Sequence, residues 1–348
     1  MTQGTMRSRG ASATRRWAAV GIAAGLALST VATMAPAVSA QDAAPLQVGV
    51  GAGEGTVAGN AYLPGAFTVN VGDTVAFVIG SDEPHTISLG QGPADVPPPF
   101  WPVSGWTAPA ADAPPPYDLG AVEFDGTGFL NTGIIPGKGT SASVTFTAAG
   151  TFPFFCAIHA GMAGEVTVQE SGTATTQEEA DAAATASRDA ILSQVDAVRA
   201  ARLAEVTTTD NADGTKTLNV FTDAGTAPGP LPGGGTGYLE LLEFTPDGLE
   251  VAPGDTVNWT VLNIHSITFV PEGTDPGTLF TSEEAAFAPI PGTSYDGTTP
   301  VSSGVLGIDP TAPRTYSLTF PTAGTFGFFC ILHSDLGHVG SVTVAAAS

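Results

Sequence analysis

The chain repeats itself. Phe152-Pro-Phe-Phe-Cys156-Ala-Ile-His159 is echoed by Phe326-Gly-Phe-Phe-Cys330-Ile-Leu-His333, and Val71-Gly-Asp-Thr-Val75 by Pro253-Gly-Asp-Thr-Val257. His85-Thr-Ile is answered by His265-Ser-Ile, Phe124-Asp-Gly-Thr127 by Tyr295-Asp-Gly-Thr298, and Gly164-Glu-Val-Thr-Val168 by Gly340-Ser-Val-Thr-Val344. The order is the same in both halves and the spacings are close, so a whole domain has been duplicated. Each copy must bury a core of its own, and 348 residues are enough for two domains of ordinary size.

The repeated segments alternate apolar and polar residues. Phe67-Thr-Val-Asn-Val71 and Thr74-Val-Ala-Phe-Val-Ile79 read as strands around a Gly72-Asp73 turn, and Ser143-Val-Thr-Phe146 and Glu165-Val-Thr-Val168 as two more. With 44 glycines, 28 prolines and only 12% charged residues, short strands joined by many turns fit better than helices or disorder. The exception is residues 169–215, expected to be a helical linker. Thr176-Gln-Glu-Glu179 fits a capping box, and no Gly or Pro interrupts the run from there to Glu205. Ala190, Ile191, Val195, Val198 and Leu203 make one apolar stripe, expected to pack on a sandwich.

Residues 1–40 read as a signal peptide. Arg7, Arg9, Arg15 and Arg16 precede an apolar run, and Val38-Ser39-Ala40 offers small residues before a cut; Arg15-Arg16 is a faint twin-arginine pattern. The expected organisation is a leader over 1–40, one domain over 41–168, the linker, and a second domain over 216–348, in a secreted or extracytoplasmic protein. Four of the ten basic residues lie in the leader, leaving six against 33 acidic ones. That balance argues against nucleic acid as a partner, and no further stretch is long and apolar enough to span a membrane. It would steer a basic partner protein, although it also serves solubility.

Chemistry concentrates in the repeat. All five histidines, His85, His159, His265, His333 and His338, lie in or beside the repeated motifs with the two cysteines. In an exported protein two cysteines suggest a disulfide, but Cys156 and Cys330 occupy equivalent points of two domains, which argues against one. Cys156-Ala-Ile-His159-Ala-Gly-Met162 places three donors on one loop, and His85 at a strand end supplies a fourth. Two imidazoles, a thiolate and a weak thioether suit a type 1 copper site; zinc also takes Cys and His, but its structural sites rarely use Met.

These motifs resemble the cupredoxin superfamily, in particular plastocyanin-like and pseudoazurin-like proteins. Gly72-Asp73-Thr74-Val75, Pro84-His85 and the Cys156 to Met162 loop carry the resemblance over about residues 46–168 and, in variant form, about residues 216–345. It implies an all-β chain of two Greek-key sandwiches, copper in the first, and one-electron transfer, usually through the edge of the loop histidine, here His159. Thr86 and Ser266, which follow the first histidine of each half, are expected to support the thiolate and its loop from the second coordination sphere.

The second half keeps His265, Cys330 and His333, but its axial position has two readings. Counting from His333 with the first half's spacing reaches Leu336, which cannot bind; counting back from Gly340 reaches His338, which we favour. Histidine there would suit copper with a lowered potential, or zinc; a decayed site that binds nothing is a further alternative. An insertion containing Pro97-Pro-Pro-Phe-Trp-Pro102, Trp106 and Pro114-Pro-Pro-Tyr117 separates His85 from Cys156, readable as a partner surface, a lid or a plain surface loop. Three function classes follow. An electron carrier fits best. A two-domain copper oxidase or nitrite reductase would need more histidines than the chain has, and storage, delivery or sensing would favour open Met- or His-rich ligand sets.

Overall fold

The computed structural model describes residues 44–96, 101–107, 115–309 and 311–346. The leader therefore lies outside the described residues, as do parts of the insertion. The first half is a β-sandwich. One sheet has the strand order Asp118–Phe124, Ser141–Phe146, Thr74–Ile79, Leu46–Ala52, Val57–Leu63. The other runs Ala66–Asn70, Ala163–Gln169, Gly150–Phe155, Ser88–Gly90, Phe129–Asn131. Alternation does what the sequence led us to expect: Val75, Phe77 and Ile79 of Thr74–Ile79 point inward and their neighbours are half-buried. Tyr62, Phe77 and Phe154 meet edge to face in the core, Tyr62 and Phe154 at 4.8 Å between centroids. Each such ring contributes about 1.5–3 kcal/mol through burial, and a well-oriented pair about 0.5–1.5 kcal/mol more.

The second half repeats the plan. One sheet runs Thr207–Asp210, Lys216–Phe221, Thr256–Thr260, Thr315–Thr319; the other Gly248–Val251, Val339–Val344, Gly324–Phe329, Thr268–Phe269, Val301–Ser302. Trp259 takes the place of Phe77, packing on Phe328 at 5.4 Å. Thr207–Asp210, inside the stretch read as linker, already pairs with Lys216–Phe221.

The halves share a ladder. Thr236–Leu241 pairs antiparallel with Val57–Leu63, with Tyr238 opposite Asn60 and Glu240 opposite Ala58. Val71 and Pro253 mark the repeat's spacing, and at that spacing Glu240 is the equivalent of Ala58. The sandwiches are thus joined by matching strands that face each other about an approximate two-fold axis, which brings equivalent loops close together. Two helices cover this junction: α1, Gln177–Leu192, and α2, Val195–Ala204. The Thr176/Glu179 capping box is present, the hydroxyl accepting from the Glu179 N–H while the carboxylate takes the Thr176 N–H. Ser187, fully buried on α1, accepts from the Gly233 N–H and so anchors the glycine-rich loop before the shared strand.

The apolar stripe holds only in part. Ile191, Val195 and Val198 pack against Leu63, Leu239 and Leu241, but Leu203 is 53% exposed. The helix breaks at Ser193 and Gln194, and the position four after Val198 is Arg202, whose guanidinium lies 4.6 Å over the Phe221 ring. Leu203, one residue further round, turns outward. Arg199 on α2 pairs with Glu243 at 2.8 and 2.7 Å, and Thr56 of the first half donates to the same carboxylate. Among the described residues no helix is long and apolar enough to cross a membrane.

Candidate metal centres

Both cysteines are free thiols, buried at the C-terminal ends of Gly150–Phe155 and Gly324–Phe329. In the first half the loop after Cys156 folds back through Cys156 N–H to Met162 O and Met162 N–H to His159 O, a tight turn that brings His159 beside the sulfur. His85 arrives from the opposite strand end, fixed by paired backbone bonds with Ile135. The Cys156 Sγ lies 3.5 Å from His159 Nδ1 and 4.0 Å from His85 Nδ1, and the two Nδ1 atoms are 3.1 Å apart. Met162 is buried in the same core cluster as Cys156.

The second half matches closely. Cys330 Sγ is 3.6 Å from His333 Nδ1 and 3.9 Å from His265 Nδ1, and those nitrogens are 3.2 Å apart. His338 joins them: the ligand atoms of His265, Cys330, His333 and His338 all lie within 4.8 Å of one another. Leu336 stands on a short 3-10 turn, Ser334–Leu336, half-buried and outside the group. That turn is the physical reason the second count reaches the site: the loop spends two extra residues before returning to its strand.

The other nitrogen of every ring is taken. Ser81 Oγ donates to the Glu83 carbonyl and therefore accepts from His85 Nε2 at 2.9 Å. His265 Nε2 faces Asp223 Oδ2 at 3.1 Å and Glu240 Oε1 at 3.5 Å. His338 Nε2 is 2.7 Å from the Thr222 carbonyl. His159 and His333 each place Nε2 3.4 Å from Glu83 Oε1. All these partners are acceptors, so each Nε2 carries a proton, and in a neutral ring Nδ1 is then a bare lone pair. Two lone pairs aimed at each other at 3.1 or 3.2 Å beside a sulfur need a proton or a cation between them. His338 Nδ1 is buried with no hydrogen-bond partner, which a native interior rarely tolerates. The donor sets fit a soft cation.

Electrostatics point the same way. Burial opposes a thiolate at Cys156, but the charge and hydrogen bonds of His159 and His85 prevail and hold it well below the ordinary thiol range. At Cys330 burial is likewise outweighed by His265, His333 and His338. In the metal-free protein burial works against a charged His333, yet Cys330 and Glu83 raise it to about 9. Thiolates are what a soft metal requires, and a bound cation would take the place of the proton that His333 holds without one.

Thr86 and Ser266 stand where the sequence suggested. The Thr86 N–H donates to Cys156 Sγ at 3.3 Å and its hydroxyl accepts from the Ala157 N–H at 2.7 Å. Ser266 repeats both contacts on Cys330 and Ile331, at 3.4 and 2.8 Å. The insertion is packed where described: Trp106 is buried in the first core, and Trp101 meets Phe155, beside Cys156, at 5.9 Å.

The loop histidines are more enclosed than the resemblance alone would suggest. The resemblance implied electron transfer through the edge of the loop histidine; His159 is only 7% exposed and His333 only 8%, and Glu83 faces His159 within the first half and His333 across the junction. Sequence reasoning also missed Ser81, Glu83, Asp223 and Glu240. Glu83 had a signal, a carboxylate two places before a candidate ligand. Asp223 had none, lying 42 residues from its partner His265.

Comparisons with known proteins identify the family. Residues 48–169 match the copper-binding protein family of plastocyanin and azurin. The chain is 29% identical to a chloroplastic plastocyanin minor isoform of Arabidopsis thaliana, covering 47% of this chain and 82% of that protein. It is 30% identical to the chloroplastic plastocyanin of Pisum sativum, covering 40% and 69% respectively. Among solved structures, a reduced auracyanin from Roseiflexus castenholzii is 27% identical, covering 30% of this chain and 88% of that one, with a TM-score of 0.23. The chain belongs to the plastocyanin/azurin family of copper-binding proteins, within the cupredoxin superfamily.

Proposed function

We propose that both halves hold copper and that the protein is an exported one-electron carrier. The observation that carries this reading is the state of the imidazoles: in each half the Nε2 atoms are all engaged by acceptors while the Nδ1 atoms converge on a buried sulfur. His85, Cys156, His159 and Met162 would hold the first copper. His265, Cys330, His333 and His338 would hold the second. When bound, copper supplies a one-electron couple.

The chain's own residues do the rest. Ser81, Asp223, Glu83 and the Thr222 carbonyl fix ring orientation and tautomer. Thr86 and Ser266 bond the sulfur and brace the cysteine loop, so the donors stay in one arrangement through a change of charge. Burial of all ligands excludes water and side reactions. All five histidines of the chain belong to these two clusters, which leaves none for a separate catalytic copper and favours carriage over catalysis. The second set, one cysteine and three histidines, is also a donor set that zinc accepts, and the orphaned His338 Nδ1 is the observation that keeps zinc as a second reading there.

The test is metal analysis with a visible spectrum of the purified chain before and after ascorbate. Two coppers per chain and thiolate-to-copper absorption that bleaches on reduction are expected; a colourless, copper-free protein would overturn the reading, and one copper with one zinc would select the second.

A further inference from the structure

We infer that Glu83 makes the two ligand sets one unit: its carboxylate joins the outward nitrogens of His159 and His333, so that an electron held in one half reaches the other without crossing solvent. This rests on the reading of both halves as copper sites. Glu83 Oε1 lies 3.4 Å from Nε2 of each ring, so the two nitrogens are no further apart than twice that distance. Glu83 is 4% exposed, and its second oxygen, Oε2, is buried with no partner. One oxygen, Oε1, lies within ion-pair distance of both rings and stands between them.

The contacts form an unbroken chain. Cys156 Sγ is 3.5 Å from His159 Nδ1, Glu83 links His159 to His333, and His333 Nδ1 is 3.6 Å from Cys330 Sγ. The near-symmetric joining of Val57–Leu63 with Thr236–Leu241 brings the two loops to this point. The bridge itself is not duplicated. Two places before His265, as Glu83 stands before His85, the second half has Asn263, which turns to Glu240 and Asp223 instead. One carboxylate therefore serves both loop histidines. The exchange balances simply: one copper(I) loses an electron, one copper(II) gains it, both N–H protons stay on their rings, and the carboxylate remains an anion. No outside reagent takes part.

The experiment uses the full copper-loaded chain. A radical reductant generated by a short pulse reduces a small fraction of the centres, and redistribution between the two spectra is followed at several protein concentrations. Redistribution independent of concentration is expected in the native chain. It should slow by about tenfold or more in Glu83→Leu, the scale of losing hydrogen bonds to a charged group. Glu83→Gln, which keeps the shape but offers one acceptor and one donor, should fall between. Copper content and visible spectra are recorded for each variant, and if the leucine variant does not fold, the glutamine variant alone decides. Equal rates at two coppers per chain would overturn the bridge and leave the copper reading standing. Copper in only one half would overturn both.

Discussion

The two halves hold the same three donors in the same geometry, yet their surroundings differ in charge. Strand register shows how. Val48 pairs with Phe77 and Val220 with Trp259, so three residues further on Gly51 and Asp223 are equivalent. At Gly51, whose φ is +74°, an added Cβ would fall 2.2 Å from His85 Nε2, and the space is left to the Ser81 hydroxyl. At Asp223 a carboxylate fills that position and takes His265 Nε2, with Glu240 behind it. The residues proposed for the axial place differ in the same sense, Met162 against His338. A carboxylate on an imidazole and a stronger axial donor both favour the more highly charged metal. Duplication has kept the frame and changed the field, and on the proposed copper reading the first half would accept an electron more readily than the second.

Single substitutions should separate the two halves. The largest effect is expected from Cys156→Ser and Cys330→Ser, each of which should abolish thiolate-to-copper absorption in its own half and leave the other's band in place, as visible spectra at known copper content will show. His338→Met should convert the second spectrum to the form of the first. It also orphans the Thr222 carbonyl, at a cost of about 1–3 kcal/mol in chemical denaturation. Asp223→Asn removes the carboxylate but not its shape. It should weaken the second half's copper affinity by about 10–100-fold in competition with a chelator and raise that half's potential. Gly51→Ala should lower stability by about 1–3 kcal/mol through strain at positive φ and displace His85, disturbing only the first spectrum. Smallest is Thr86→Val, which leaves the Ala157 N–H without its acceptor and should cost about 1 kcal/mol with a modest change in the first potential.

What the sequence made legible was local. The Cys156 to Met162 loop and its copy are contiguous, the alternating strands carry their own period, and the capping box at Thr176 is written in four residues. That His338 joins the donor cluster was within reach because Gly340 anchors the loop's return, although the turn at Ser334–Leu336 left the count ambiguous. What stayed hidden depends on residues distant in sequence. No periodicity announces that Thr236–Leu241 will pair with Val57–Leu63, and without that ladder neither the cover over His159 nor the shared carboxylate of Glu83 follows. Leu203 misled because the stripe assumed one unbroken helix, and the break at Ser193 handed its place to Arg202.

A redox titration of the copper-loaded chain, followed in its thiolate-to-copper bands, asks whether one ligand frame sits in two different fields. Two separate one-electron waves should appear, with the lower potential in the half that Cys156→Ser leaves intact. A single wave shared by both halves, or the lower potential in the half holding Met162, would contradict it.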